Sequence, residues 1–162
     1  MYNDKDRGDT MNFVIYGEDK LLMEQRLKTL KKKYHICEED MNMVTYWCQD
    51  SSMSTIIEDA LTPPFLTEYK MIVLKNPLFL TAQKQKTMND ADIQKFMDYL
   101  PLDNPTTIFV IYHDQRNFDE RKKVVKTLRK YAHFYDIEKM DERQLYKATH
   151  QAIKSRGCEI DE

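Results

Sequence analysis

The segment Gly17–Lys20 is the first place in this sequence where residue types and spacing could do chemistry, because it follows a short apolar run as a phosphate-binding loop would. Such a loop has the pattern G-x-x-x-x-G-K-[ST], in which glycines let backbone N–H groups approach phosphate and the lysine contacts it. Here Leu22 and Met23 replace the second glycine and the lysine, and Glu18 and Asp19 put two carboxylates where phosphate would lie. The spacing predicts a loop that binds no nucleotide.

The second half of a nucleotide-hydrolase site is also missing. Such a hydrolase carries an acidic magnesium ligand at the end of the third strand, but this sequence has Lys75-Asn76 at that place. The chain also lacks G-x-S-x-G, the dinucleotide-binding G-x-G-x-x-G and the zinc-binding H-E-x-x-H. The sequence therefore predicts no catalytic residue and no cofactor.

Two smaller groups could still carry chemistry. His113-Asp114 follows the most apolar run of the chain, so the imidazole could act as a general base with a carboxylate partner. An ordinary strand-to-loop transition is the favoured interpretation. The run Glu38-Glu39-Asp40 could chelate a cation, but acidic loops of this kind are usually solvated. We predict no metal site.

A basic cluster in the predicted helix Asp119–Tyr131 is the strongest charge feature of the chain. Its cations are Arg121, Lys122, Lys123, Lys126, Arg129 and Lys130. They could bind the phosphates of a nucleic acid, with Arg121, Lys122 and Lys126 as the candidate DNA contacts. They could equally complement the negative end of the helix dipole. The sequence favours the second interpretation and leaves the first open.

The segment 61–68 presents two large apolar residues, Phe65 and Leu66, directly after Pro63-Pro64. The prolines stiffen the connection between a predicted helix and a predicted strand, so little conformational entropy remains to be lost on binding. Composition alone favours burial of Phe65 and Leu66 in the core. If they are exposed instead, this stiff loop presents two apolar side chains for binding.

Composition limits the class of protein. The chain has 162 residues, a net charge of −2 and 41% hydrophobic residues, which is enough for a buried core. Near-neutral charge excludes bulk electrostatic coating of nucleic acid. No apolar run approaches the roughly 18 residues of a membrane helix, and the polar residues 1–11 are expected to form a tail rather than a signal peptide. Three cysteines without paired spacing favour the reducing cytoplasm.

The apolar pattern predicts five strands, which begin near Phe13, Met43, Lys70, Thr107 and Phe134. Helices between them are predicted from caps at Asp19, at Ser54, at Asp90 or Asp92, and at Asp141, with Gly157 ending the last helix. Strands that alternate with helices are typical of βαβ crossovers. The sequence therefore predicts an α/β doubly wound domain, a mainly parallel sheet with helices on both faces.

Four segments, in order along residues 13–160, resemble the N-terminal part of the delta subunit of bacterial DNA polymerase III, a clamp-loader component. Phe13–Leu22 resembles the family's apolar strand, Gly-Glu-Asp and leucine pair. Ala60–Leu66 followed by Met71–Asn76 resembles its apolar pair and the strand that ends in a basic residue and Asn. Phe118–Lys123 is similar to its Asp-x-Arg-Lys-Lys helix start, and Ile153–Ile160 to its exit from the domain.

The resemblance implies a fold and a domain division. Residues 12–140 would form an AAA+-like domain of the P-loop NTPase type, with a five-stranded parallel sheet in the order 2-3-4-1-5 and a degenerate nucleotide site. Residues 141–162 would be the first helix of a lid. Family members neither bind nor hydrolyse ATP in this subunit, so the chain would be a non-catalytic part of a DNA-directed DNA polymerase holoenzyme.

The resemblance also implies partners and a binding site. Family members open the ring-shaped sliding clamp by inserting an apolar pair, which acts as a wedge, into a hydrophobic pocket near a ring interface. That pair corresponds to Phe65 and Leu66, although the two prolines before it depart from some members. The implied partners are the sliding clamp, the other clamp-loader subunits and, through the complex, primer–template DNA.

Two other functions remain open from the sequence. One is a nucleotide-dependent switch that works with a degenerate loop. The other is a DNA-binding domain that uses the basic segment Arg121–Lys130. Both differ from clamp binding in the surface that they would use.

Overall fold

The computed structural model of the chain describes residues 10–37, 41–83, 88–102, 104–139 and 141–155. Within these residues five strands alternate with five α-helices. In chain order they are β1 Asn12–Gly17, α1 Lys20–Lys33, β2 Met43–Trp47, α2 Met53–Leu61, β3 Lys70–Lys75, α3 Asp90–Tyr99, β4 Thr107–His113, α4 Lys123–Tyr131, β5 His133–Ile137 and α5 Glu142–Ser155. Short 3₁₀ turns follow β3 at Leu78–Leu80 and α3 at Leu100–Leu102.

The five strands form one sheet in the order β2-β3-β4-β1-β5, and every neighbouring pair is parallel. Both the predicted parallel α/β fold and the strand order implied by the resemblance are confirmed. The strands predicted from Phe13 and Phe134 each begin one residue earlier, at Asn12 and His133.

The side chains of the central strands alternate between two cores, one on each face of the sheet. Val14, Ile72 and Phe109 pack on one face with residues of α2, α3 and α4. Ile15 and Val110 pack on the other face with the apolar side of α1. Because both faces are covered, the central strands read in the sequence as nearly continuous apolar runs.

Two predicted helix caps are wrong by one or two residues. The hydroxyl of Ser52, rather than that of Ser54, accepts the hydrogen bond that opens α2, from the N–H of Thr55 at 3.2 Å. Asn89, rather than Asp90 or Asp92, caps α3, and Asp92 completes a capping box by accepting from the N–H of Asn89 at 3.2 Å. Each segment holds several residues that can cap, and only the backbone path selects one of them.

The helix predicted from Asp119 is shorter, because α4 begins at Lys123. The carboxylate of Asp119 accepts from the N–H of Arg121 at 3.1 Å, and its carbonyl accepts from the N–H of Lys122 at 3.0 Å. This local turn satisfies the backbone before the helix starts. The predicted cap at Asp141 is confirmed by a 2.7 Å bond from the N–H of Gln144, whereas Gly157 lies outside the described residues.

Among the described residues, we find no helix that is both long enough and apolar enough to span a membrane.

Gly17 ends β1 at a point where the sheet leaves no room for a side chain. Its φ is +154°, and a Cβ at this position would overlap the carbonyl oxygen of Ile137 at the end of β5. The same carbonyl accepts from the N–H of Glu18 at 3.3 Å. Gly17 is therefore required by the close approach of two strand ends.

We predict that Gly17→Ala lowers the free energy of unfolding by about 1–3 kcal/mol, because the new Cβ must displace the backbone of β5. Chemical denaturation followed by circular dichroism measures the change. Glu18→Ala, at the exposed neighbouring position, is the control and should stay within about 0.5 kcal/mol of wild type. Equal stability of both variants would contradict the close approach.

Candidate functional site

The connection between α2 and β3, residues 62–69, is called the wedge loop here, and it carries the most exposed apolar pair of the sequence analysis. The side chain of Phe65 is 60% exposed and that of Leu66 is 88% exposed. The expectation from composition, that both fold back into the core, is wrong. The exposure required of a wedge is confirmed.

The wedge loop is held from below by one buried side chain, Asn42, which lies just before β2. Its carboxamide oxygen accepts from the N–H of Phe65 at 2.6 Å, and its amide nitrogen donates to the carbonyl of Phe65 at 2.8 Å. Asn42 is only 4% exposed, and its own carbonyl accepts from the N–H of Met71 in β3. The amide thus pairs with the backbone of Phe65 much as a neighbouring strand would.

Both ends of the wedge loop are also fixed. At the start, the N–H and hydroxyl of Thr62 donate to the carbonyl of Glu58, at 3.1 and 2.9 Å. At the end, the hydroxyl of Thr67 donates to the carbonyl of Tyr69 at 2.9 Å. Leu66 has a φ of +57°, which is unfavourable for a side chain with a Cβ. Hydrogen bonds of Phe65 and Thr67, the residues on either side of it, hold the loop at the point where the Leu66 side chain is exposed.

A partly buried ion pair joins the elements on either side of the wedge loop. Lys70, at the start of β3, donates to the carboxylate of Asp59 at 2.5 Å and to its carbonyl at 2.7 Å. The phenol of Tyr46 donates to the other carboxylate oxygen of Asp59 at 2.9 Å. Burial and this carboxylate raise the pKa of Tyr46 to about 12. The pair ties the last turn of α2 to β2 and β3.

At the opposite edge of the sheet, a side chain of the loop after β1 forms a hydrogen bond with the N-terminus of α1. The carboxylate of Asp19 accepts from the N–H of Leu22 at 3.1 Å, at the N-terminus of α1. A helix N-terminus is the place where phosphate would bind, and here a carboxylate takes one of the free N–H groups. Glu18 beside it is exposed and adds a second negative charge.

A cavity of 480 Å³ lies at this same carboxyl edge of the sheet, on the side of α1. Its lining residues are Lys20, Glu24, Trp47, Lys75, Asn76, Tyr112 and Asp114. The charges in it are largely paired, since Lys20 lies 3.3 Å from Asp114 and the phenol of Tyr112 donates to Glu24 at 2.9 Å. Burial, followed by the contact with Glu24, raises the pKa of Tyr112.

Lys75 occupies the place of the acidic magnesium ligand, and its ammonium lies against aromatic rings. It is 5.6 Å from the ring centre of Trp47 and 5.2 Å from that of Tyr112. A cation held there opposes magnesium binding rather than promoting it. The chemistry of this edge fits the predicted loss of the nucleotide site.

The structure does not bring His113 and Asp114 together as a catalytic pair. His113 is fully buried, stacks on Phe118, and shares a 2.7 Å hydrogen bond with Asn117 through its Nε2. Asp114 instead faces Lys20 across the cavity. Among the described residues no group of three or more His, Cys, Asp or Glu side chains could hold a metal ion, and Glu38-Glu39-Asp40 lies outside them.

The basic cluster divides into bonded and open cations. Arg121 pairs with Asp119 at 2.9 Å and lowers the pKa of that carboxyl to about 2. Lys122 donates to the carbonyl of Phe79 at 3.0 Å. Arg129 pairs with Glu120 at 2.6 Å. Two of the three candidate DNA contacts, Arg121 and Lys122, are therefore engaged within the chain.

The remaining lysines of the basic cluster line a shallow groove of 460 Å³ between α3 and α4. The groove is bounded by Gln94, Met97, Asp98, Pro101, Lys123, Lys126, Thr127, Lys130 and Tyr131. Lys126, the third candidate DNA contact, lies in it with Lys123 and Lys130. Its surplus of positive charge could attract an anionic ligand.

Asn42 is the site residue that sequence reasoning missed. It lies 23 positions before Phe65, in a segment with no motif, and an Asn before a strand is an ordinary loop residue. Only the strand order places the start of β2 beside the connection that enters β3. The pairing has no signature in a single sequence.

Comparisons with known proteins agree with the fold. The family model described as DNA polymerase III, delta subunit, matches residues 13–138. The chain is 26% identical over 133 residues to DNA polymerase III subunit delta of Bacillus subtilis (strain 168), which covers 82% of this chain and 38% of that protein.

Two solved structures share the architecture. The Bacillus subtilis DNA clamp loader delta protein matches with a TM-score of 0.75 and 24% identity, over 90% of this chain and 43% of that chain. A DNA polymerase III gamma subunit-related protein from Thermotoga maritima matches with a TM-score of 0.51 and 12% identity, over 88% of this chain and 46% of that chain. At these identities the two structures show a common AAA+-like fold.

The chain spans less than half the length of these relatives. The family match nevertheless covers most of its 162 residues, including every strand of the sheet except the first residue of β1. It also includes the wedge loop and the degenerate loop after β1. This chain belongs to the family of the DNA polymerase III delta subunit.

Proposed function

We propose that this chain is the clamp-binding domain of a clamp-loader subunit, and that it binds and opens the sliding clamp by inserting Phe65 and Leu66 into an apolar pocket. The observation that carries the proposal is the exposure of both side chains on a loop whose backbone is held by Asn42. Membership of the delta family supports the choice of the clamp as the partner.

The geometry of the wedge loop favours tight binding for a physical reason. An apolar side chain that leaves water on binding contributes roughly 1.5–3 kcal/mol. A flexible loop would lose part of this gain, because ordering its backbone on binding costs entropy. Asn42 and the bonds of Thr62 and Thr67 order the loop before the partner arrives, so more of the gain remains for binding.

The proposal assigns no ATP hydrolysis to this chain. Asp19 caps the helix that would bind phosphate, and Lys75 stands in place of a magnesium ligand. The hydrolysis that drives loading would then belong to other clamp-loader subunits within the DNA polymerase holoenzyme. Those subunits and, through them, primer–template DNA are the further proposed partners, in the cytoplasm.

We also propose the domain division implied by the resemblance. Residues 12–140 would act as the clamp-binding AAA+-like domain, and residues 141–162 would begin the lid that leads to the rest of the subunit. The exposed Leu145 and Tyr146 on α5 are consistent with a surface that packs against such a continuation.

DNA binding through α4 is a second candidate function, and the groove with Lys123, Lys126 and Lys130 is the observation that favours it. An affinity of the chain for primed DNA that falls steeply with salt, in the absence of any clamp, would support it. Lys123→Ala with Lys126→Ala should then abolish that affinity, whereas clamp binding through the wedge should change little.

We predict that Phe65→Ala with Leu66→Ala weakens binding to the purified clamp of the same organism by about a hundredfold or more. Loss of two buried side chains removes about 3–6 kcal/mol, and each 1.4 kcal/mol is tenfold in affinity. Surface plasmon resonance measures the affinity, and a melting curve checks folding. A folded double variant that binds the clamp as tightly as wild type would refute the proposed function.

We predict that Asn42→Ala loosens the wedge loop and weakens clamp binding by about tenfold. The variant loses two hydrogen bonds of about 0.5–1.5 kcal/mol each that order the free loop, so clamp binding must supply that ordering instead. Hydrogen exchange at the Phe65 amide should accelerate in parallel. Gln94→Ala, which removes an exposed side-chain bond to Asp98 on α3, is the matched control and should leave both quantities unchanged. Unaltered exchange at Phe65 would show that Asn42 does not hold the loop.

We predict that calorimetric titration with Mg-ATP at millimolar concentration gives no binding heat. The carboxylates of Glu18 and Asp19 repel phosphate, and the Asp19 carboxylate already accepts from one of the first N–H groups of α1, that of Leu22. A saturable heat that disappears in the presence of EDTA would favour the nucleotide-dependent switch instead.

A further inference from the structure

Exposed apolar side chains are found near the wedge loop in addition to Phe65 and Leu66. Nine large hydrophobic side chains are exposed among the described residues. Phe65 and Leu66 are two of them, and three more, Met41, Leu61 and Leu102, lie in or directly before connections that enter the same side of the sheet. We call these three residues the apolar rim.

The strand order places the three rim residues next to the wedge. Met41 lies in the connection into β2, Leu61 ends α2 before the connection into β3, and Leu102 lies in the connection into β4. Because β2, β3 and β4 are consecutive neighbours in a parallel sheet, these three connections lie side by side at its amino edge.

Hydrogen bonds confirm that the connections touch. Met41 precedes Asn42, whose carboxamide binds the backbone of Phe65. The amide of Asn104 donates to the carbonyl of Ala60 at 2.9 Å, which joins the segment after Leu102 to the last turn of α2. The N–H of Lys70 donates to the carbonyl of Thr106 at 2.9 Å. The connections that carry the wedge and the rim therefore contact one another along the amino edge of the sheet.

We propose that Met41, Leu61 and Leu102 are part of the clamp-binding surface and surround the wedge as an apolar rim in the complex; this rests on the proposed function. A cluster of exposed apolar side chains at one edge marks a protein-binding site rather than random exposure. Binding sites commonly consist of a few central anchors ringed by contacts that exclude water from them. The partner must then offer an apolar pocket for two side chains, bordered by an apolar shelf.

The shape of the surface favours the clamp over a second copy of this chain. A symmetric dimer would place the same patch of both copies face to face. Here the patch is centred on a projecting pair, Phe65 and Leu66, on a loop with a fixed backbone. Two projecting surfaces of the same shape are not complementary, whereas a pocket in a different protein is.

The test compares leucines of similar exposure at different places. The double variant Leu61→Ala with Leu102→Ala removes two rim side chains that are 51% and 58% exposed. The control Leu21→Ala with Leu145→Ala removes two that are 65% and 51% exposed, on α1 and α5. Affinity for the clamp of the same organism is measured by surface plasmon resonance, and the mass of the free chain by light scattering.

We expect the rim variant to bind the clamp about tenfold more weakly than wild type, mostly through faster dissociation, while the control variant binds as wild type. Leu61→Gln with Leu102→Gln, which keeps side-chain length, should weaken binding at least as much and replaces the alanine variant if that variant melts early.

Three outcomes would overturn the proposal. Wild-type affinity of a folded rim variant, together with lost binding by the Phe65→Ala/Leu66→Ala variant, would confine the interface to the wedge and leave the proposed function intact. Equal loss of clamp affinity in the rim and control variants would show that the loss does not depend on the position of the leucines. A dimer of the free chain that dissociates in the rim variant, with clamp affinity unchanged, would assign the rim to self-association.

Discussion

In a parallel sheet, every connection must return from the carboxyl end of one strand to the amino end of the next. This chain obeys that constraint in every crossover, because all four neighbouring strand pairs are parallel. The loops that leave strands therefore gather at one edge, and the segments that enter strands gather at the other. The two edges of this sheet differ sharply in chemistry, and the proposed function follows from that difference.

The carboxyl edge is where open α/β sheets usually bind their ligands, and in this chain its polar groups bind one another. Asp19 takes an N–H group of α1, Lys20 faces Asp114, and Tyr112 binds Glu24. A phosphate entering this edge would meet carboxylates and find the helix terminus already capped. The carboxyl edge therefore presents carboxylates, and the cation of Lys75, at the places where a nucleotide hydrolase would hold phosphate and magnesium.

At the amino edge, by contrast, hydrogen bonds hold the backbone of the connections, and several apolar side chains are exposed to solvent. Asn42 and Asn104 bind backbone groups of neighbouring connections, and Asp59 binds Lys70 beneath them. These bonds fix the connections without covering the apolar side chains that they carry. Leu66 even keeps an unfavourable positive φ. An edge that is rigid in its backbone and exposed in its apolar side chains is suited to entering a pocket of another protein.

The sequence determined those features that depend on residues close together in the chain. The apolar runs predicted the five strands to within one residue at their starts, and the Gly17–Met23 spacing predicted the loss of a phosphate-binding loop. The starts of α2 and α4 were predicted less well, because more than one local structure suits the same residues. Ser52 and Ser54 can each cap a helix, and Asp119 can open a turn as easily as a helix. The strand order came from family resemblance. The periodicity of apolar residues indicates which side chains pack in a core, but it does not indicate which strands are neighbours.

Tertiary structure alone decided what the wedge and the basic cluster became. Composition favoured burial of Phe65, yet its side chain is exposed, on a loop whose backbone binds Asn42, a residue 23 positions away. Three of the six cations between Arg121 and Lys130 are bonded to Asp119, Phe79 and Glu120, which divides a cluster that looks uniform in sequence. Exposure and pairing are properties of what surrounds a side chain, and in a parallel sheet those surroundings come from segments far apart in the chain.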